Sequence, residues 1–511
     1  MSSKIHSIIV SGSRGVVVDV ECSLSNNLPA IVIVGLANRA VDEAKERIRG
    51  AFASCKLDLP RRRITINLAP ADIPKDSSSF DLSIAAAILA ASGQSMFNFT
   101  SQYAIVGELG LQGDVRPVRG IIGKLLVARS HGITTCFIPS ANLAQAMLVP
   151  GLTLISLSSL LELHSYLNYP EQITPLQTKN GQTPARSAST APYPTFDDIT
   201  GQYSAKRALQ IAAAGGHNVL LSGPPGSGKS LLAKAFLSLL PPLNQEEMLE
   251  VTHLHSLAGS RYDQLVTNRP FRSPHHTSSQ LAIIGGGAQL RPGEISLAHR
   301  GVLFFDELPE FSRAAIEALR QPLEDRRIII TRLKDTIEYP AAFMFVATAN
   351  PCPCGYLGSQ NPQKVCNCPQ YSIQRYKQKL SGALLDRLDL FVEITDTDHR
   401  QLLRQKAAPK VEQINARVAA ARQLQHARYG STKLNNEVDA ATLRRHARLT
   451  APALKLLDIA ASNLQLSTRS YLRAVKVART IADLAASPTI KADHMTESLH
   501  YRDSGWTGTN T

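Results

Sequence analysis

Two kinds of apolar pattern run along this chain, with a polar stretch between them. In the first third, short β-rich runs lie close to Gly, Pro or Asn. Ser7–Val10, Gly15–Val20, Ala30–Gly35 and Arg63–Leu68 read as strands. Arg39–Phe52 and Leu82–Ala91 read instead as helices. Pro170 to Pro194 is rich in Pro, Thr, Ser, Gln and Ala and nearly free of large apolar residues, so it cannot bury a core and reads as a linker. From Phe196 the pattern becomes strand, loop, helix. Asn218–Ser222, Gly301–Phe305 and Phe343–Thr348 are short buried strands, and Leu231–Leu240 is an amphipathic helix stopped by Pro241 and Pro242. Continuously apolar strands separated by helices predict a parallel sheet covered on both faces. After Thr395 strand signals vanish, and Ala, Leu, Arg and Gln dominate to Ala486, which predicts a helical lid. The organisation expected is therefore α/β: a first domain over 1–169, a linker over 170–194, an αβα core over 195–395, a helical lid over 396–500 and a disordered tail over 501–511.

Composition changes this picture in three places. No apolar run approaches the roughly 18 residues of a membrane helix, and no signal peptide is apparent, so the cytoplasm is the expected compartment and no membrane partner is expected. Lys and Arg outnumber Asp and Glu by 55 to 41, a formal charge of +14. That excess favours a polyanionic partner, since each phosphate neutralised releases condensed counterions. Four of the seven cysteines fall between Cys352 and Cys368.

The strongest chemical signal is Gly223-Pro224-Pro225-Gly226-Ser227-Gly228-Lys229-Ser230. It matches the eight-residue phosphate-binding loop and sits between a strand and a helix, the context that pattern requires. The glycines let backbone N–H groups turn towards phosphates, and the helix N-terminus adds its positive end. ATP and Mg²⁺ are the expected ligands, with Lys229 on the β/γ phosphates and Ser230 on the metal. Val302-Leu-Phe-Phe-Asp306-Glu307 ends the matching acidic strand. Asp306 would hold the magnesium through water, and Glu307 would polarise the attacking water. Asn350 ends the third strand, where its amide can orient that water. Arg387, in Leu384-Leu-Asp-Arg-Leu-Asp389, could meet a neighbouring subunit's phosphate, with an ordinary ion pair to Asp386 or Asp389 as the alternative. Arg469 on the lid is a candidate to pair with the γ-phosphate, and Arg473 lies one turn further on the same face.

These elements in this order resemble an AAA+ ATPase. Pro270-Phe-Arg-Ser-Pro-His-His276 and Pro292 through Glu307 are similar to its magnesium-chelatase-related branch, and the ComM (YifB) family fits nearly the whole chain. The resemblance implies a ChlI-type, Lon-protease-like first domain, an AAA+ P-loop αβα sandwich and a chelatase-type helical lid. It also implies a homo-hexameric helicase acting on single-stranded and branched DNA, promoting branch migration during natural transformation, with recombination proteins as partners. Arg326 to Pro340 reads as a β-hairpin with Arg332 and Lys334 near its tip, where a ring would present them to DNA. The Gly285-Gly-Gly287 loop is a second candidate pore element. A chelatase subunit and a MoxR-like or Lon-like protein-remodelling ATPase are the alternatives.

In the first domain, Gly107 to Gly120 followed by Lys124-Leu-Leu-Val-Ala is similar to a strand and helix of Lon. The resemblance places Ser79 where Lon has its serine and Ile122 where it has its lysine. Without that amine nothing evident deprotonates Ser79, so the domain is expected to be proteolytically inactive. Cys352-Pro-Cys354 and Cys366-Asn-Cys368 offer four thiols to tetrahedral Zn²⁺, although the usual knuckle spacing is CxxC. Disulfides or free thiols are the alternatives.

Overall fold

The computed structural model describes residues 2–11, 14–35, 43–71, 78–172, 174–178, 193–258, 265–287, 290–331, 336–359, 365–395, 410–502 and 506. It divides into two compact units, one formed by Met1–Ser187 with Leu243–Thr267, the other by Ala188–Pro242 with Asn268–Thr511.

The first unit is built on an eight-stranded mixed sheet. Its strands are β1 (Ser2–Ser11), β2 (Arg14–Ser25), β3 (Ala30–Val34), β4 (Arg63–Ala69), β5 (Tyr103–Ile105), β6 (Thr135–Pro139), β7 (Thr153–Leu157) and β8 (Leu176–Gln177), in the spatial order β8-β7-β6-β5-β1-β2-β4-β3. Strands β1 and β2 pair antiparallel, and β1 pairs parallel with β5. Because strand side chains alternate, Ile5 and Ile9 join one core layer while Ile8 joins another. The helix α1 (Asp81–Ala91) packs on β1 and β2 and is buried over nearly its whole length, as its Ile, Leu and Ala composition demands. Helix α2 (Ile121–Ser130) also packs on β1 and β2, within the layer that holds Ile8.

The second unit carries β9 (Val219–Ser222), β10 (Phe271–Arg272), β11 (Val302–Phe305), β12 (Met344–Ala349) and β13 (Leu390–Glu393), ordered β10-β11-β12-β9-β13 and all parallel. Strands β9, β11 and β12 are buried at every position, as a sheet covered on both faces requires. The amphipathic segment after the phosphate loop is shorter as an α-helix than its pattern predicts. It forms α3 (Lys229–Ala235) and then tightens into a 3-10 turn over Phe236–Leu239 before the two prolines. Arg327–Thr331 and Thr336–Pro340 form the predicted hairpin, with Ile328, Ile330, Ile337 and Tyr339 buried on one face. Arg332 and Lys334 lie outside the described residues. The lid is helical, with Val411–Tyr429, Ala440–His446, Ala451–Asn463, Thr468–Leu484 and Ala492–His500.

Three further features depart from the pattern-based reading. The stretch expected to be a linker from residue 170 still belongs to the first domain at its start, because β8 pairs antiparallel with β7 and the Thr178 hydroxyl bonds Leu152. Helix α4 (Gln245–Leu257), which follows the phosphate-loop helix in sequence, belongs to the first unit. Its N-terminus is closed by a capping box between Asn244 and Glu247, and Met248 and Val251 join Ile122, Leu125 and Ala128 of α2 in one apolar layer. The tail past Tyr501 is also not free where it is described. Arg502 donates to the Leu388 carbonyl and the Ser470 hydroxyl, and buried Trp506 donates to Ser222 Oγ at 3.3 Å. No helix among the described residues is long and apolar enough to cross a membrane.

Candidate active site

The phosphate loop connects β9 to α3. Gly226 and Gly228 take φ of +82° and +86°, a region that L side chains avoid, and at Gly223 a Cβ would stand 2.4 Å from the Ile394 carbonyl oxygen. The glycines at these positions are thus needed by the backbone itself. Lys229 is buried, and its ammonium donates to the carbonyls of Gly223 (2.7 Å) and Pro224 (2.8 Å) and to Asn350 Oδ1 (3.1 Å).

The parallel register brings the acidic strand end alongside. Phe305 of β11 faces Ala347 of β12, and Ser222 of β9 faces Ala349 of β12. Ser230 Oγ donates to Asp306 at 2.9–3.0 Å. Thr348 Oγ donates to the same carboxylate at 2.6 Å and accepts the Glu307 N–H at 2.8 Å. Thr348 therefore fixes both acidic residues, a role its place inside an apolar strand does not announce. Glu307 has φ +54°, in the sparsely populated left-handed region, an outlier of the kind that clusters at active sites. One site thus gathers Lys229, Ser230, Asp306, Glu307 and Asn350. Its lysine, hydroxyl and carboxylate suit a Mg²⁺-bound polyphosphate, and Glu307 suits a water-activating base.

Arg387 and Arg469 form a second group. Their common partner is neither Asp386 nor Asp389 but Glu324, on the short helix that leads into the hairpin. Arg387 is buried and also donates to the Ala383 carbonyl at 2.6 Å, and its buried Nε has no hydrogen-bond partner among the described residues. Arg469 is exposed and reaches Glu324 at 2.9 Å. Arg473 is instead fixed to buried Asp389 at 2.5 Å. Burial raises the Asp389 carboxyl, but Arg473, His217 and the Asn218 N–H outweigh it and hold it below the usual range. Arg473 is thereby tied into the core, which leaves Arg469 as the more available lid arginine.

The cysteine loop begins directly after Asn350. Cys352, Cys354 and Cys366 have Sγ separations of 3.3, 3.7 and 3.6 Å, and with Cys368 all four sulfurs lie within 4.8 Å of one another. A disulfide needs about 2.05 Å. Tetrahedral zinc with Zn–S near 2.3 Å puts its sulfurs about 3.8 Å apart, which the cluster fits. The Tyr356 N–H is the main influence pulling the Cys354 thiol down to about 6. Gly355, at φ +83°, lies against the phosphate loop, where a Cβ would meet Pro225 at 2.6 Å.

In the first unit the structure corrects the reading of Ser79. The amine comes not from the Ile122 position but from Lys124, whose Nζ lies 3.1 Å from Ser79 Oγ. Residue 122 is in the apolar layer shared with α4.

A parallel sheet ordered β10-β11-β12-β9-β13, with the phosphate loop on β9 and acidic residues at the end of β11, defines an AAA+ P-loop ATPase. Family models for magnesium chelatase subunit ChlI match residues 195–402, with the ChlI subunit domain over 20–142 and the ChlI C-terminal domain over 408–502. The chain is 40% identical over 503 residues to competence protein ComM of Haemophilus influenzae, covering 98% of this chain and 97% of that one. It is 39% identical over 504 residues to the uncharacterised protein YifB of Escherichia coli, covering 98% and 97%. The magnesium-chelatase 38 kDa subunit of Rhodobacter capsulatus is 25% identical over 343 residues, 61% of this chain and 88% of that subunit. The chain belongs to the ComM/YifB family of magnesium-chelatase-like AAA+ ATPases, which implies ATP and Mg²⁺ as its ligands.

Proposed function

We propose that this protein is a hexameric, ATP-driven DNA translocase that unwinds and branch-migrates recombination intermediates during natural transformation. The observation that carries the reading is the full-length likeness to a competence protein, joined to the Lys229–Ser230–Asp306–Glu307–Asn350 arrangement. The excess of 14 positive charges supports a polyanionic partner.

In this reading Lys229 exchanges the two loop carbonyls and Asn350 for β/γ-phosphate oxygens. Ser230 and Asp306 would hold Mg²⁺, which when bound would neutralise charge on the phosphates. Glu307 takes the proton of the attacking water, and Asn350, released by Lys229, orients it. Arg387 leaves Glu324 for the γ-phosphate bound by the next subunit, and Arg469 leaves the same carboxylate for its own. Glu324 precedes Arg326 and the hairpin by only a few residues. Release of both arginines would therefore be felt at Arg332 and Lys334, the proposed DNA contacts. Cys352, Cys354, Cys366 and Cys368 would hold a structural zinc, which would stiffen the loop behind Asn350 whose Gly355 lies against the phosphate loop.

The test is ATP turnover and branch migration on forked and four-way DNA, with Lys229→Ala as the inactive control. DNA should stimulate turnover, and charge reversal at Arg332 and Lys334 should remove the stimulation while leaving basal turnover intact. Turnover indifferent to every DNA offered would favour the chelatase-like or MoxR-like remodelling reading. For the metal, reduced protein purified without chelator should carry one zinc per chain, and protein with no zinc would exclude that site.

A further inference from the structure

The first unit contains a buried lysine that the ATPase chemistry does not use. Lys124 projects from α2, and its Nζ donates to the Ile8 carbonyl at 2.8 Å and to Ser79 Oγ at 3.1 Å. Ser79 lies in the 3-10 turn Ser78–Phe80 at the start of α1. Two backbone hydrogen bonds tie this turn and the start of α1 to the chain after β5: Gly107 donates to the Ser79 carbonyl at 3.0 Å, and Leu82 donates to the Gly107 carbonyl at 3.1 Å. Both side chains are buried, at 1% and 4% exposure.

A buried lysine usually has a carboxylate partner. Among the described residues the nearby acids are engaged elsewhere. Asp81, at the start of α1, is bound by Arg47 at 2.6 and 3.1 Å and by the Leu109 N–H, and Glu108 accepts from Ser78. On β1, His6 pairs with Asp19. From α4, His253 faces Gly123, and burial lowers it to about 4, so it adds no charge at neutral pH. Burial alone brings Lys124 down to about 8, where a useful fraction is the free amine. A neutral amine within hydrogen-bond reach of a serine hydroxyl is the pairing that activates serine as a nucleophile.

We propose that Ser79 and Lys124 form a second reactive centre, a nucleophile and its general base, that accepts acyl groups from peptide or ester carbonyls. The Lys124 amine takes the Oγ proton as Oγ bonds to the carbonyl carbon. The carbon–nitrogen or carbon–oxygen bond of the substrate then breaks, and the Lys124 ammonium returns the proton to the departing amine or alcohol. Water, deprotonated by Lys124, next attacks the acyl-serine, releasing the carboxylic acid and restoring Oγ–H. The pair is enclosed in this conformation, so reaction requires α1 and its leading turn to part from α2.

The experiment treats the full-length protein with p-nitrophenyl acetate, with and without ATP, and maps the adduct by peptide mass spectrometry. Acetyl-Ser79 should form with a pH profile rising to a plateau with its midpoint near 8. Ser79→Ala should abolish it, and Lys124→Met should slow it by about 10²–10⁴-fold. ATP turnover serves as the folding control for both variants, because neither residue belongs to that site. If a variant fails to fold, the wild-type adduct position and pH profile still decide the matter. Absence of acetyl-Ser79 under every condition, or an adduct forming equally fast in folded Lys124→Met, overturns the proposal.

Discussion

Two lysines in this molecule sit in similar cradles with opposite demands on them. Lys229 and Lys124 are both buried, and each donates to backbone carbonyl oxygen and to a side chain. Around Lys229, the neighbouring Ser230 hydroxyl leads straight to Asp306, and the loop presents turned glycines that suit phosphate. Around Lys124 the acids among the described residues are bound by other groups, and the side-chain partner is a serine. A lysine that meets polyphosphate must carry its charge, whereas one that serves as a base must be able to shed it. What distinguishes them is the disposition of the surrounding carboxylates.

Four variants would break or sharpen that contrast. Arg387→Ala should lower ATP turnover most, by about 10³–10⁵-fold if the arginine acts on a neighbour's nucleotide. Mixing it with Lys229→Ala chains should restore part of the turnover, because some interfaces then hold one intact lysine and one intact arginine. No recovery on mixing would place Arg387 in its own chain's structure. Lys229→Ala alone should cost about 10²–10³-fold, the effect of removing one fixed donor, while leaving Ser79 acylation unchanged.

Lys124→Met should act on stability instead of ATP turnover. The folded lysine titrates near 8, well below 10.5, so the unfolded chain binds the extra proton between those values. Stability from this group therefore rises with pH across that window, and below pH 8 the protein carries the full cost of a buried ammonium, about 3 kcal/mol. The Met variant should resist denaturant better at pH 7, with the advantage shrinking by pH 10.5, as read from hydrogen exchange in α2. A pH-independent difference would mean that Lys124 is not buried as a titrating group. Gly355→Ala should have the smallest effect, about tenfold weaker ATP binding, because its Cβ would press Pro225 at a left-handed backbone position. Unchanged binding would separate the cysteine loop from the nucleotide.

Legibility in the sequence follows contiguity. The phosphate loop, Asp306 and Glu307 are short runs beside apolar strands, so pattern and chemistry reinforce each other. Glu324 offers no such signal, since its arginine partners lie 63 and 145 residues away. Lys124 is obscured by helix geometry. Residues 122 and 124 sit about 200° apart around an α-helix, and only the packing of α2 decides which one faces Ser79. The placement of Trp506 is hidden because it stands alone among polar residues in sequence, with its partner Ser222 in a distant strand.

Helix α4 makes the first unit discontinuous in sequence. Leu243–Thr267 is contributed from the middle of the ATPase segment, and the chain then returns to Asn268 and the second unit. A fragment ended in the linker would strip the layer holding Ile122, Leu125 and Ala128 of Met248 and Val251. The complementary fragment would expose the same apolar helix to water, a recipe for self-association. For the same reason, a protease nick between residues 178 and 193 would not release two separable pieces, because α4 still holds the first unit to the rest of the chain. Domain exchange among relatives at that linker would have to carry α4 along with it.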